Sequence, residues 1–223
     1  MTTRLALAVL AGILAMTGPA AADAQELRGE IIGALVEHRL TVGHDPEREF
    51  GAAFGAALRA PVMSWMEVGG HLIGGALAAQ TPQTDDRRFG ELDVAALITP
   101  FPWLAFEVGG TSRTWTGPLG RQRWLTMRAG AEVRLALADD RVRGMLGGAL
   151  MPVVSVSGAE SPSVAIAASS RLTYAHRTLS ASVGYEIERY DFPVSGGTRR
   201  LEQVSTMSAS IGMLLPEIGW PRP

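Results

Sequence analysis

Apolar residues recur at every second position over much of this chain. Leu104, Phe106 and Val108 share one parity, while Glu107, Gly109, Thr111 and Arg113 share the other. That is the two-residue period of a β-strand. A second arm repeats it: Leu125, Met127, Ala129, Ala131, Val133, Leu135 and Leu137 alternate with Thr126, Arg128, Gly130, Glu132 and Arg134. The link TGPLGRQR between the arms carries Gly and Pro and predicts a hairpin. Each arm is long enough to cross a bilayer as a tilted strand, which takes roughly 9–11 residues.

The same unit recurs along the chain and predicts about ten strands, at 27–42, 50–59, 65–79, 89–98, 103–115, 124–137, 142–156, 163–174, 179–188 and 201–215. Three are less clean. In the first, Ile31, Gly33 and Leu35 compete with Ile32, Ala34 and Val36 for the apolar face; the second is Ala-rich, so a helix rivals it; the seventh is interrupted by Gly147, Gly148 and Pro152. Links after even-numbered strands are short, and those after odd-numbered strands are mostly longer and more polar. An up-and-down antiparallel transmembrane β-barrel shows this alternation, with short periplasmic turns, longer extracellular loops and an even strand count. Both termini then lie in the periplasm. Ten strands fit the count, with eight as the alternative.

The N-terminus sets the compartment. Arg4, the apolar run 5–16 and an Ala22-Asp23-Ala24 site read as a secretory signal peptide over 1–24. The barrel domain then spans 25–215 and a tail spans 216–223. Beyond the signal no apolar run approaches the roughly 18 residues of a spanning helix; the nearest, 94–106, is broken by Pro100 and Pro102. A membrane-resident mature chain must therefore be a closed barrel, because open sheet edges leave backbone groups unpaired in lipid.

Periodicity alone leaves two assignments of the faces. In a soluble, periplasmic, lipocalin-like lipid-binding barrel the Leu/Val/Ile face would be the core. In a membrane barrel it meets lipid. Composition favours the second: charged residues are 19% of the chain, below the roughly 25% of soluble domains, and the polar faces of the second, eighth and tenth strands are mostly Gly, Ala, Ser and Thr. Trp65, Trp103, Trp115 and Trp124 stand at strand ends, as an aromatic girdle would. Alternation nevertheless puts them on the polar face, so they are either twisted outward or fill the barrel ends.

This architecture resembles the small bacterial outer-membrane barrels of the OmpA transmembrane-domain, OmpX and OmpW type over nearly the whole mature chain. The resemblance implies an integral outer-membrane protein in contact with outer-membrane lipids. The chain departs from those families at its last strand, which ends in Met213, Leu214 and Leu215 where they commonly carry an aromatic residue.

Candidate chemistry is confined to the predicted lumen face. Glu67, His71, Asp93, Glu107, Arg113, Arg128, Glu132, Arg134, Arg171, Glu186 and Glu188 share it, and a narrow interior requires such charges to pair. They read as a structural ion-pair network; a narrow path for small solutes is the alternative. The four histidines, His38, His44, His71 and His176, follow no metal-ligand spacing, so neither metal nor cofactor is expected. Cysteine is absent, which excludes disulfides and thiol chemistry. A net charge of −2 gives no footprint for nucleic acid. No nucleophile motif is present, so the expectation is a non-enzymatic, monomeric barrel that meets an extracellular partner through loops near 45–49, 85–88 and 196–200, with a lipid-modifying outer-membrane hydrolase as the less favoured alternative.

Overall fold

The computed structural model describes residues 27–215 except 44, 83, 119, 139 and 140. The expected signal peptide, the C-terminal tail and the Asp139-Asp140 turn lie outside the described residues. Ten strands follow one another as hairpins: β1 (Leu27–Val42), β2 (Asp45–Met63), β3 (Met66–Ala79), β4 (Arg87–Phe101), β5 (Leu104–Gly117), β6 (Gly120–Ala138), β7 (Val142–Val156), β8 (Val164–His176), β9 (Leu179–Asp191) and β10 (Arg200–Leu215). All neighbours are antiparallel, and β1 pairs with β10 from Leu27↔Leu215 to Val42↔Arg200. Closure leaves no sheet edge, which is the condition for a sheet to sit in lipid.

Where the strands differ from expectation, pairing overrides local composition. The Ala-rich second segment is a strand because β1 and β3 both hydrogen-bond to it, and helix propensity is a weak prior against two ladders. The same pairing lengthens it. β2 begins at Asp45, so the loop expected over 43–49 shrinks to 43–44, and the candidate partner loop at 45–49 belongs to the barrel wall. Arg87 and Arg88 likewise open β4, and Arg200 opens β10. The connections that remain at that end are 43–44, 80–86, 118–119, 157–163 and 192–199. In β7 the register slips opposite Met127 and Ala129 of β6, at Met151-Pro152, and the outward phase passes from Leu146 and Leu150 to Val153. A bulge is where a strand proline belongs.

The faces sort as a membrane barrel requires. Ile31 (76% exposed), Phe54 (73%), Ile211 (69%) and Leu150 (65%) head a continuous outward belt of large apolar side chains contributed by every strand. A soluble monomer rarely exposes an apolar patch above roughly 300–600 Å². The lipocalin-like alternative is thereby corrected: the Leu/Val/Ile face is outside and the charged face is inside. β1 takes the phase with Ile31 and Leu35 outward, leaving Ile32, Ala34 and Val36 in the lumen. The tryptophans divide. Trp65 and Trp103 lie exposed in the turns at the end that holds the termini, Trp103 stacked on Phe101 with centroids 5.8 Å apart. Trp115 and Trp124 are buried in the lumen at the opposite end.

Candidate functional site

Alternation aims every second side chain inward, so the lumen is built from residues far apart in sequence that share a level of the barrel. Two layers fill it. The first lies toward the end opposite the termini and is aromatic and apolar: Trp115 packs on Phe89 (5.5 Å between centroids), and Trp124 meets Tyr190 edge-on at 4.9 Å. His38 of β1 reaches into this layer and packs against Trp115 of β5, ring centroids 4.8 Å apart and planes tilted by 32°. Its Nδ1 lies 3.2 Å from Glu49 on β2, and its Nε2 lies 3.2 Å from Glu202 on β10. Arg87 of β4 adds a contact of 3.0 Å to Glu49, and Arg200 pairs with Glu202. All three central groups are buried, so each needs the partners it has.

The second layer is the charge network. Arg113 of β5 is its pivot, with Nε 2.5 Å from Glu91 on neighbouring β4 and Nη1 2.6 Å from Glu188 on β9, across the lumen. Tyr190 donates its hydroxyl to Glu188 at 3.1 Å. Arg128 of β6 pairs with Glu107 on β5, with Asp93 on β4 at 3.0 Å and, more distantly, with Glu186 on β9 at 3.8 Å. His71 of β3 closes the ring, 3.1 Å from Glu91 and 3.7 Å from Asp93. Thr111 donates to the other oxygen of Asp93 at 2.7 Å. Two guanidiniums thus tie walls that share no backbone hydrogen bond.

Of the eleven lumen residues expected from the sequence, seven meet here: His71, Asp93, Glu107, Arg113, Arg128, Glu186 and Glu188. The other four lie outside this cluster. Glu67 pairs with Arg59 at 3.6 Å, and Arg134 reaches Glu132 two residues away on its own strand at 2.6 Å. Arg171 makes no ion pair within 4 Å among the described residues; it lines a cavity of about 90 Å³ beside Glu186, Thr206 and Ser208. A second space of about 40 Å³ lies by Glu107, Arg128 and Glu132.

Sequence reasoning missed Glu91, although it alternates with Leu92 as Asp93 does. It also missed the His38, Glu49 and Glu202 triad. His38 sat in a strand of ambiguous phase and Glu49 in an expected loop, so the signal became readable only once β1 was paired on both sides.

No protein-family model and no curated protein matches the sequence. Among solved structures, the outer membrane protease OmpT from Escherichia coli superposes with a TM-score of 0.60 at 10% identity, covering 87% of this chain and 99% of that one. The translocator domain of the autotransporter NalP from Neisseria meningitidis (TM-score 0.44, 12% identity, 96% of this chain and 98% of that one) and Neisserial surface protein A (0.39, 9%, 84% and 97%) superpose more loosely. With its closed ten-stranded wall, outward apolar belt and charged interior, the chain has the fold of a small bacterial outer-membrane β-barrel.

Proposed function

We propose that this is an outer-membrane barrel with a closed lumen, monomeric, whose wall and loops rather than its interior meet its partners. One observation carries the reading: Arg113 spans the interior from Glu91 to Glu188, beneath a layer in which Trp115 and His38 pack from opposite walls. A conducting path needs continuous water between fixed charges. Here opposite charges are in contact across the bore. Taking them apart leaves buried ions unpaired, at several kcal/mol each, so opening is disfavoured at rest.

The loop segments available to a partner are 80–86, 157–163 and 192–199. Likeness to a protease at 10% identity transfers no catalytic residue to this chain, and the buried position of His38 between two carboxylates supports a packing role for it.

The test is conductance. Purified protein inserted in planar bilayers is expected to show no stable single-channel steps, and an Arg113→Ala/Arg128→Ala variant to show frequent, irregular openings. Reproducible, ion-selective steps from the wild-type protein would overturn the closed-lumen reading in favour of a narrow pore.

A further inference from the structure

On the termini side of Arg113, the lumen holds a cation and an anion that are neighbours on the wall and do not pair. Arg171 of β8 faces Gly184 of β9 in the register, and Glu186 lies two residues along that same strand. Diagonal neighbours of this kind are about 7–8 Å apart at the backbone, within reach of long side chains, yet no ion pair within 4 Å joins these two among the described residues. Arg171 instead lies across β9 where residue 184 has no side chain: a Cβ there would stand 3.8 Å from its Nε and 3.2 Å from the Oγ of Ser208 on β10. Glu186 leans the other way, toward Arg128, and stops 3.8 Å short of it.

The space they leave is the cavity of about 90 Å³, several waters in size, which Thr206 and Ser208 line with them. The register puts Thr206 beside Glu186 and Ser208 beside Gly184, so the four polar side chains form one patch on three adjacent strands. Among the described residues Arg171 makes no ion pair or hydrogen bond, and neither hydroxyl makes one. The surrounding charges are committed elsewhere: Glu188 to Arg113 and Tyr190, Glu30 to Ser210, and Arg59, which repels Arg171, to Glu67. Ile32, Val36 and Val204 give the same cavity an apolar side.

The two unmatched charges decide what fits. A simple anion at Arg171 would stand against Glu186, and a simple cation at Glu186 would stand against Arg171. Either one leaves a charge without a partner in a narrow, partly desolvated lumen. A molecule carrying both a carboxylate and an ammonium satisfies both. Its carboxylate takes the paired donors of the guanidinium, with Ser208 beside it, and its ammonium takes Glu186. We propose that this cavity binds a small α-amino acid as its zwitterion, main chain between Arg171 and Glu186 and side chain against Ile32, Val36 and Val204. The solute enters from the end that holds the termini, past the short hydroxyl side chains of Thr173, Ser182 and Ser210. It is a small-solute site, distinct from the surfaces that meet larger partners. Arg113 need not move for it to fill, so the conductance result does not decide it.

The experiment titrates the full-length folded protein in detergent with L-alanine, acetate and methylammonium, binding being read by saturation-transfer difference NMR. L-Alanine is expected to bind with a Kd on the order of 1 mM. Each half-ligand is expected to bind at least about tenfold more weakly, as loss of one charge-assisted contact implies. Arg171→Gln and Glu186→Gln, both checked for a heat-modifiable folded band, should each weaken L-alanine by about the same factor. Glu186→Gln should at the same time strengthen acetate, because it removes the repelling carboxylate. The wild-type ligand series needs no variant, so it tests the site even where a variant fails to fold. Acetate binding as tightly as L-alanine would make this a plain anion site and overturn the proposal. So would the absence of saturable L-alanine binding, which would mean that water fills the gap, or binding unchanged in Arg171→Gln.

Discussion

At the residue scale, Arg113 and Arg134 separate a charge that holds the barrel from one that decorates it. Both were legible as inward-facing from alternation alone, yet only Arg113 is buried between carboxylates on two different strands. Arg134, about a third exposed, contacts Glu132 on its own strand. Removing Arg113 as Arg113→Met leaves Glu188 buried without a cation and Glu91 with only His71 beside it, and loss of one partner from a buried pair costs about 3–5 kcal/mol. Arg134→Met should cost less than about 1 kcal/mol, as partly exposed pairs do. Urea unfolding of the protein refolded in lipid vesicles measures both. Equal midpoints for the two variants would show that the cross-lumen pairing contributes nothing to stability. Which inward charges meet is set by the shear between strands, and no single strand encodes that.

At the element scale, the β2–β3 ladder shows how sequence composition turns into wall geometry. Its lumen side is lined by Gly51, Gly55 and Gly75, and a Cβ at Gly55 would lie 2.1 Å from the carbonyl oxygen of Leu72, one at Gly51 2.0 Å from that of Ala76. The close approach is of backbone to backbone, so a methyl group cannot be absorbed by a rotamer change. Gly55→Ala should therefore open the ladder, costing upwards of about 1–3 kcal/mol as overpacking does. Gly90 on β4 has nothing within 4 Å of its Cβ position, so Gly90→Ala should be neutral or slightly stabilising, since it reduces the freedom of the unfolded chain. The yield of heat-modifiable folded band for the two variants checks the pair. A Gly-rich strand face signalled small inward residues in the sequence. Which glycines are obligatory depends on where the sheet coils most tightly, and that appears only when the strands are assembled.

For the molecule as a whole, the decisive property is inversion: apolar outside, charged inside. Phe54 stands mid-belt on β2 and is 73% exposed. Phe54→Arg would place a guanidinium near the bilayer midplane at a cost of about 2–4 kcal/mol. The same substitution on a water-exposed wall would be close to neutral. Comparing refolding into vesicles with refolding into a short-chain detergent distinguishes the two: the variant should be impaired in vesicles far more than in detergent. Similar losses in both would mean that the belt does not meet lipid.

By itself, the sequence determined a barrel wall but not which face of it meets lipid. A two-residue period, repeated about ten times with three segments less clean and without a spanning helix, points to a closed barrel, because alternation and backbone satisfaction are local requirements that every strand must meet alone. It also placed eleven charged residues on one face. Tertiary structure decided the rest. Ring closure fixed the phase of β1 and carried β2 down through a polar segment that resembles a loop. Shear selected Arg113 and Arg128 as the cross-lumen ties and brought His38 between Glu49 and Glu202. Each of these depends on the register between strands, a relation among residues as distant as His38 and Glu202, 164 apart in sequence, and the pattern within a strand carries no information about it.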